Sequence, residues 1–164
     1  MQAYTYEEQM VEDSSTRTVP IKLDVGESAA DLLHQTTDCF LDAANHVVDT
    51  AWEPDWKITS KPKLHDQTYY DVRHDSPLPA NLVQAARNRA AEAVKGVVAR
   101  WKEGKKASKP HFTSRFDSYD ARTVTVNDDH ATLATIDGRV TADFILPDER
   151  RDTPHSAYLF NDDY

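Results

Sequence analysis

The apolar residues of this chain change their spacing twice, and the order of those changes restricts the folds open to it. From Arg17 to Gly26, Val19, Ile21, Leu23 and Val25 alternate with Thr18, Pro20, Lys22 and Asp24, the pattern of a half-buried strand. From Ser28 to Gly104 the apolar residues recur at helical spacing, and beyond Phe112 they alternate again. Strand, helices and strands in that order predict an α+β fold. The expected form is a small antiparallel β-barrel-like domain, made of one early strand and a C-terminal meander, with an inserted helical segment.

Four stretches follow from this reading. Residues 1–16 are acidic and without period, and read as a disordered lead-in. Residues 17–26 form the first strand, where Pro20 lacks a ladder donor and so indicates an edge or a bulge. Residues 27–104 form the helical insertion. Residues 105–164 form a wedge-like meander that looks truncated, because the apolar run from Ser156 to Phe160 is cut short at Tyr164.

Within the insertion, Ser28 is the expected N-cap of a first helix. Leu33, Phe40, Ala44, Val47, Val48 and Ala51 line its apolar stripe, with Asp31, Asp38, Asp42 and Asp49 outside. Pro54 and Pro62 mark residues 53–63 as a loop, followed by a short helix over 65–74. Ser76-Pro77-Leu78-Pro79 breaks the chain, and the main helix starts near Asn81 with a stripe of Leu82, Ala86, Ala90, Ala93, Val97 and Trp101. Gly104 is its expected stop. The meander reads as strands over 122–126, 131–136 and 139–146, with Asp137-Gly138 as a tight turn.

The charge is unevenly distributed. Arg87, Arg89, Lys95, Arg100, Lys102, Lys105, Lys106, Lys109 and Arg115 face only Glu92 and Glu103 between residues 87 and 115, a segment of +7 in a chain of −9. The remainder therefore carries −16. Clustered Lys and Arg hold phosphate, and Phe112 or Trp101 nearby offers a ring for base stacking. A solvated face complementing the helix dipole explains Lys102 to Lys106 equally well. Aspartate outnumbers glutamate 20 to 8, which reads as a salt-adapted, haloarchaeal type of surface. In about 1 M salt the Debye length is roughly 3 Å, so such a protein would hold nucleic acid by shape, hydrogen bonds and stacking.

Other chemistry finds little support. The one cysteine, Cys39, excludes an intrachain disulfide and a cysteine-based zinc site, and it fits a reducing cytoplasm. No apolar run approaches the roughly 18 residues of a membrane span. The seven histidines show no metal-binding spacing. Asp128-Asp129-His130 lies in an expected hairpin turn, where aspartate serves the local backbone. Tyr69, Tyr70, Trp52 and Trp56 read as packing residues, and Cys39 as a buried thiol. No catalytic residue, metal or cofactor is assigned, and the residues alone indicate no enzyme.

Several segments carry a resemblance. They are Asp42-Ala43-Ala44-Asn45-His46-Val47-Val48-Asp49-Thr50-Ala51-Trp52, the helix ending at Trp101, Gly104-Lys105-Lys106, Lys109-Pro110-His111-Phe112, and Tyr119-Asp120-Ala121-Arg122-Thr123 with the meander through Leu146-Pro147. In their order and spacing, from about Thr18 to Tyr164, the chain resembles the N-terminal part of the TnpB-type proteins (OrfB transposases of insertion sequences) in their haloarchaeal form. The resemblance implies RNA-guided DNA nucleases related to type V CRISPR effectors. In these a β-barrel wedge domain with an inserted helical recognition domain precedes a RuvC-like nuclease and a zinc ribbon. The implied partners are guide RNA and target DNA, held by shape and backbone, with room for a separate nuclease-bearing chain. The implied contacts are Lys105, Lys106, Lys109 and Phe112. The family's catalytic acids and zinc ribbon have no counterpart in these residues. The expectation is therefore a nuclease-free nucleic-acid-binding module; the alternative is a remnant or protein-interaction piece that needs a missing C-terminal half.

Overall fold

Helical spacing between two alternating stretches becomes three helices threaded between strands of one sheet. The computed structural model describes residues 21–115 and 117–145, and Leu23–Ile145 form one compact unit. The elements are β1 (Lys22–Asp24), α1 (Glu27–Ala51), α2 (Lys61–Asp75), α3 (Ala80–Lys102), β2 (Val124–Val126), β3 (His130–Thr135) and β4 (Gly138–Ile145). The α+β class is as expected. The acidic lead-in and the run from Ser156 to Phe160 lie outside the described residues.

The sheet is not a barrel. Its four strands lie in the order β1-β4-β3-β2, so among the described residues β1 and β2 are the edges. Each edge strand is only three residues long, too little to tilt and close a barrel. The central pair is antiparallel, with Ala131 opposite Ala142 and Leu133 opposite Val140. These four share a face with Phe144, and Leu33 of α1 and Tyr119 pack against it. Gly138, at φ 79°, completes the expected turn after Asp137, a conformation that costs glycine little. Strand β1 is exposed along its length rather than half-buried, as an edge strand can be.

The helices differ from expectation in three places. Gly26, not Ser28, caps α1, its carbonyl accepting from the Ala30 N–H at 2.9 Å; Ser28 lies inside the first turn. Helix α2 starts at Lys61, within the expected loop, because Pro62 occupies a first-turn position where its missing N–H is no loss. On α3 the buried stripe runs through Leu82, Ala86, Ala90 and Val94. It advances by four where the sequence reading took the step from Ala90 to Ala93, so Ala93 and Val97 are half-buried and Trp101 is 41% exposed.

Packing is closest where alanines meet. Helix α1 lies mainly on α3, and α2 covers both. Ala44, Ala51, Ala86 and Ala90 are each at most 1% exposed, and their small side chains let the two helix backbones approach. Phe40, Leu78 and Leu82 fill the centre of one cluster, and Val47, Val48, Leu64 and Val94 that of the next. Thr36 links helices to sheet. Its hydroxyl donates to the Leu32 carbonyl at 2.7 Å and accepts the Ile136 N–H at 3.1 Å.

The end of α3 launches the basic tail in a fixed direction. The Gly104 N–H donates to Trp101 O at 2.9 Å and the Lys105 N–H to Arg100 O at 2.9 Å, with Gly104 at φ 73°. These are the two bonds of a Schellman motif. A Cβ at Gly104 would meet nothing within 4 Å, so only backbone strain opposes a side chain there. Gly104→Ala is expected to lower stability by about 1 kcal/mol, measured by chemical denaturation.

Candidate nucleic-acid interface

Beyond Gly104 the chain turns back and runs antiparallel along α1. Lys109 Nζ pairs with Asp49 at 2.7 Å. Three residues on, Asn45 grips the Phe112 backbone from both sides, donating Nδ2–H to its carbonyl at 2.9 Å and accepting its N–H at 2.8 Å. Arg115 then binds Asp38 through Nε at 3.1 Å and a terminal nitrogen at 3.3 Å. Asp117 accepts the Thr37 hydroxyl at 2.6 Å. Asp38, Asn45 and Asp49 make one helical stripe about 16 Å long, close to the roughly 20 Å spanned by Lys109 to Arg115 when extended.

This path alters the expected set of contacts. Lys109 and Arg115 are neutralised by α1, and Lys105 pairs with Glu103 at 2.7 Å. Phe112 is half-buried and joins the helical core, so it is not an open stacking ring. The Arg89 guanidinium lies 5.6 Å from its ring centre. Arg87 is half-buried and donates to Asn88 Oδ1 at 2.8 Å; burial, and then the charge of Arg122, lower its pKa. Lys95, Arg100, Lys102 and Lys106 are exposed and have no ion-pair partner among the described residues. Arg100 and Lys102 fall in the last turn of α3 and Lys106 just beyond it.

Two tryptophans meet at the same end. Trp52 and Trp101 are edge to face, with ring centres 5.5 Å apart and planes at 63°. Lys57 Nζ lies 4.9 Å from the Trp52 ring centre and 5.9 Å from that of Trp101. It also donates to the Glu53 carbonyl and, at 3.3 Å, to that of Trp56. Trp52 packs against the helical core as expected, whereas Trp56 is 58% exposed. The signal available for the Trp52–Trp101 contact was that these two residues close the first and the main expected helix. The α1 stripe that receives the tail was also missed, since Asp38 and Asp49 read as solvated acids.

Two clefts differ in the charge of their walls. A groove of about 320 Å³ beside Phe112 is lined by Phe40, Leu41, Arg89 and His111. A cleft of about 180 Å³ between α1 and α2 carries Asp42, Asp71 and Asp75, which repel anions. Cys39 lines that cleft, and burial, with Asp42 adding, raises its thiol pKa, away from reactive thiolate character. Among the described residues no three His, Cys, Asp or Glu side chains converge on a metal position. Asp129 and His130 bond to each other at 2.6 Å in the β2–β3 turn. No described helix is long and apolar enough to cross a membrane.

Asp117 has a distinct electrostatic state. Burial raises its pKa, the Thr37 bond opposes the shift and Asp38 adds to it. One carboxylate oxygen, Oδ1, is buried without a hydrogen-bond partner among the described residues. The folded chain thus holds a proton that the unfolded chain releases near pH 4. The contribution to stability is present below that value and is lost as pH rises through the raised folded pKa. Asp117→Asn is therefore expected to gain stability relative to the parent between about pH 4 and neutrality, with the difference read from thermal midpoints at each pH.

No family model, curated protein or solved structure matches the chain.

Proposed function

We propose that this chain is a nucleic-acid-binding module, acting as the wedge and recognition region of a TnpB-type protein acts on guide RNA and target DNA. The observation that carries the reading is that Arg100, Lys102 and Lys106, close in sequence, are exposed and without an ion-pair partner among the described residues, where Lys105, Lys109 and Arg115 are paired. In a chain of net charge −9 three such cations within seven residues offer contacts for phosphate. The early strand sharing a sheet with the meander, with the helices between them in sequence, also supports the comparison with a wedge and its insertion.

Lys102→Glu together with Lys106→Glu tests the assignment. The double variant is expected to weaken RNA binding by about tenfold or more and to flatten the dependence of log K on log salt by roughly 1.4. Unchanged binding by the double variant would contradict it. A second reading, a protein-interaction piece, draws on Val126, Ile145 and Leu23, which are 68%, 51% and 38% exposed on strands of the sheet. A monodisperse monomer by size exclusion in high salt counts against an obligate partner.

A further inference from the structure

We infer that α1 masks two further phosphate contacts: Lys109 and Arg115 rest on its carboxylates Asp49 and Asp38 and exchange them for the phosphates of a bound RNA. The inference rests on the nucleic-acid reading above. Both pairs join the tail to α1 in open solvent. Lys109 Nζ meets Asp49 at 2.7 Å, with the two side chains 42% and 68% exposed. Arg115 meets both oxygens of Asp38, at 3.1 and 3.3 Å, with side chains 56% and 53% exposed. Ion pairs this open to water contribute little to stability, and a competing ion can reach either partner.

The fold does not need these pairs to keep the tail in place. Between them, Asn45 makes two bonds to the Phe112 backbone, and Phe112 packs against both helical clusters. Lys109 and Arg115 lie three residues to either side of that anchor, so each can leave its carboxylate while the centre of the tail stays on α1. A phosphodiester offers Arg115 the same two-oxygen edge that Asp38 does. In RNA each phosphate is also backed by the charge of its neighbours, which a single carboxylate on a helix lacks. Exchange adds Lys109 and Arg115 to Lys106 among the tail's available cations. The acids of α1 therefore oppose binding, and removing their charge should be felt as affinity.

The test uses the full chain and a fluorescently labelled RNA stem-loop in about 0.15 M KCl, with binding read by anisotropy. Asp38→Asn with Asp49→Asn removes the competing charges and keeps the side-chain shapes. This variant is expected to bind the RNA about fivefold more tightly than the parent. Asp42→Asn with Asp71→Asn removes the same charge from the cleft between α1 and α2, where neither acid has an ion pair among the described residues. That control is expected to stay within about twofold of the parent. Adding Lys109→Ala and Arg115→Ala is expected to weaken the Asp38→Asn, Asp49→Asn variant several-fold more than it weakens the parent. In the unsubstituted chain, RNA is expected to shift the Arg115 Nε–H NMR resonance, a reading that depends on no variant folding. An Asp38→Asn, Asp49→Asn variant that binds no more tightly than the control, or an Arg115 resonance unmoved by bound RNA, would overturn the masking while leaving the nucleic-acid reading standing. RNA bound by neither the parent nor any variant overturns both.

Discussion

Replacing Phe40 with alanine is expected to destabilise the fold by about 3–5 kcal/mol, seen as a large fall in the midpoint of chemical denaturation. Phe40 is 1% exposed and among the largest fully buried side chains. It lies in one cluster with Val72 of α2, Leu82 and Ala86 of α3, and Leu78 between those helices. Its neighbours Ala43 and Ala44 are too small to move into the space a truncation leaves. The ring also lines the groove closed by Phe112, so its loss loosens the tail as well as the helices. Phe40→Leu keeps most of the volume and should cost much less. Domains of this size are stable by about 5–15 kcal/mol, so the alanine variant is expected to be partly unfolded under mild conditions.

The second large effect is expected at Asn45. Its side chain makes both bonds to the Phe112 backbone, the pairing a neighbouring strand would otherwise supply. Asn45→Ala removes both partners at once and leaves a half-buried N–H and C=O unpaired. The expected loss is about 2–3 kcal/mol, accompanied by faster hydrogen exchange at the Phe112 amide. Asn45→Asp is a sharper probe. It can still accept the Phe112 N–H but sets a carboxylate oxygen against the Phe112 carbonyl, so it too should destabilise despite its matching shape. If both variants were as stable as the parent, the tail would not be clasped to α1 in this way.

Much of the architecture was legible because periodicity is a local property. The change of spacing at Ser28 and Phe112 located the helices between strands, and Asp137-Gly138 located the β3–β4 turn through the backbone freedom of one glycine. Gly104 marked the end of α3 for the same reason. The start of α2 was not legible, because proline both interrupts helices and begins them, and Pro62 does the second. Closure of the sheet was not legible either. It depends on the length and tilt of edge strands, and an alternating pattern is the same in an open sheet and a barrel.

The candidate site was legible in composition but not in arrangement. The basic segment was visible from its charge, yet which cations remain available depends on partners far along the chain. Arg115 meets Asp38 across 77 residues, and Phe112 meets Asn45 across 67. An acid read as solvated is indistinguishable, in sequence, from one that receives a folded-back tail. The contact of Trp52 with Trp101 beside Lys57 is likewise a product of α1 and α3 ending side by side.

The most direct test of nucleic-acid binding is to purify the chain from a high-salt host without nuclease treatment and to sequence the RNA that accompanies it. The proposed function predicts enrichment of one structured transcript, reduced in the Lys102→Glu, Lys106→Glu variant. Protein that emerges free of RNA, parent and variant alike, would contradict it.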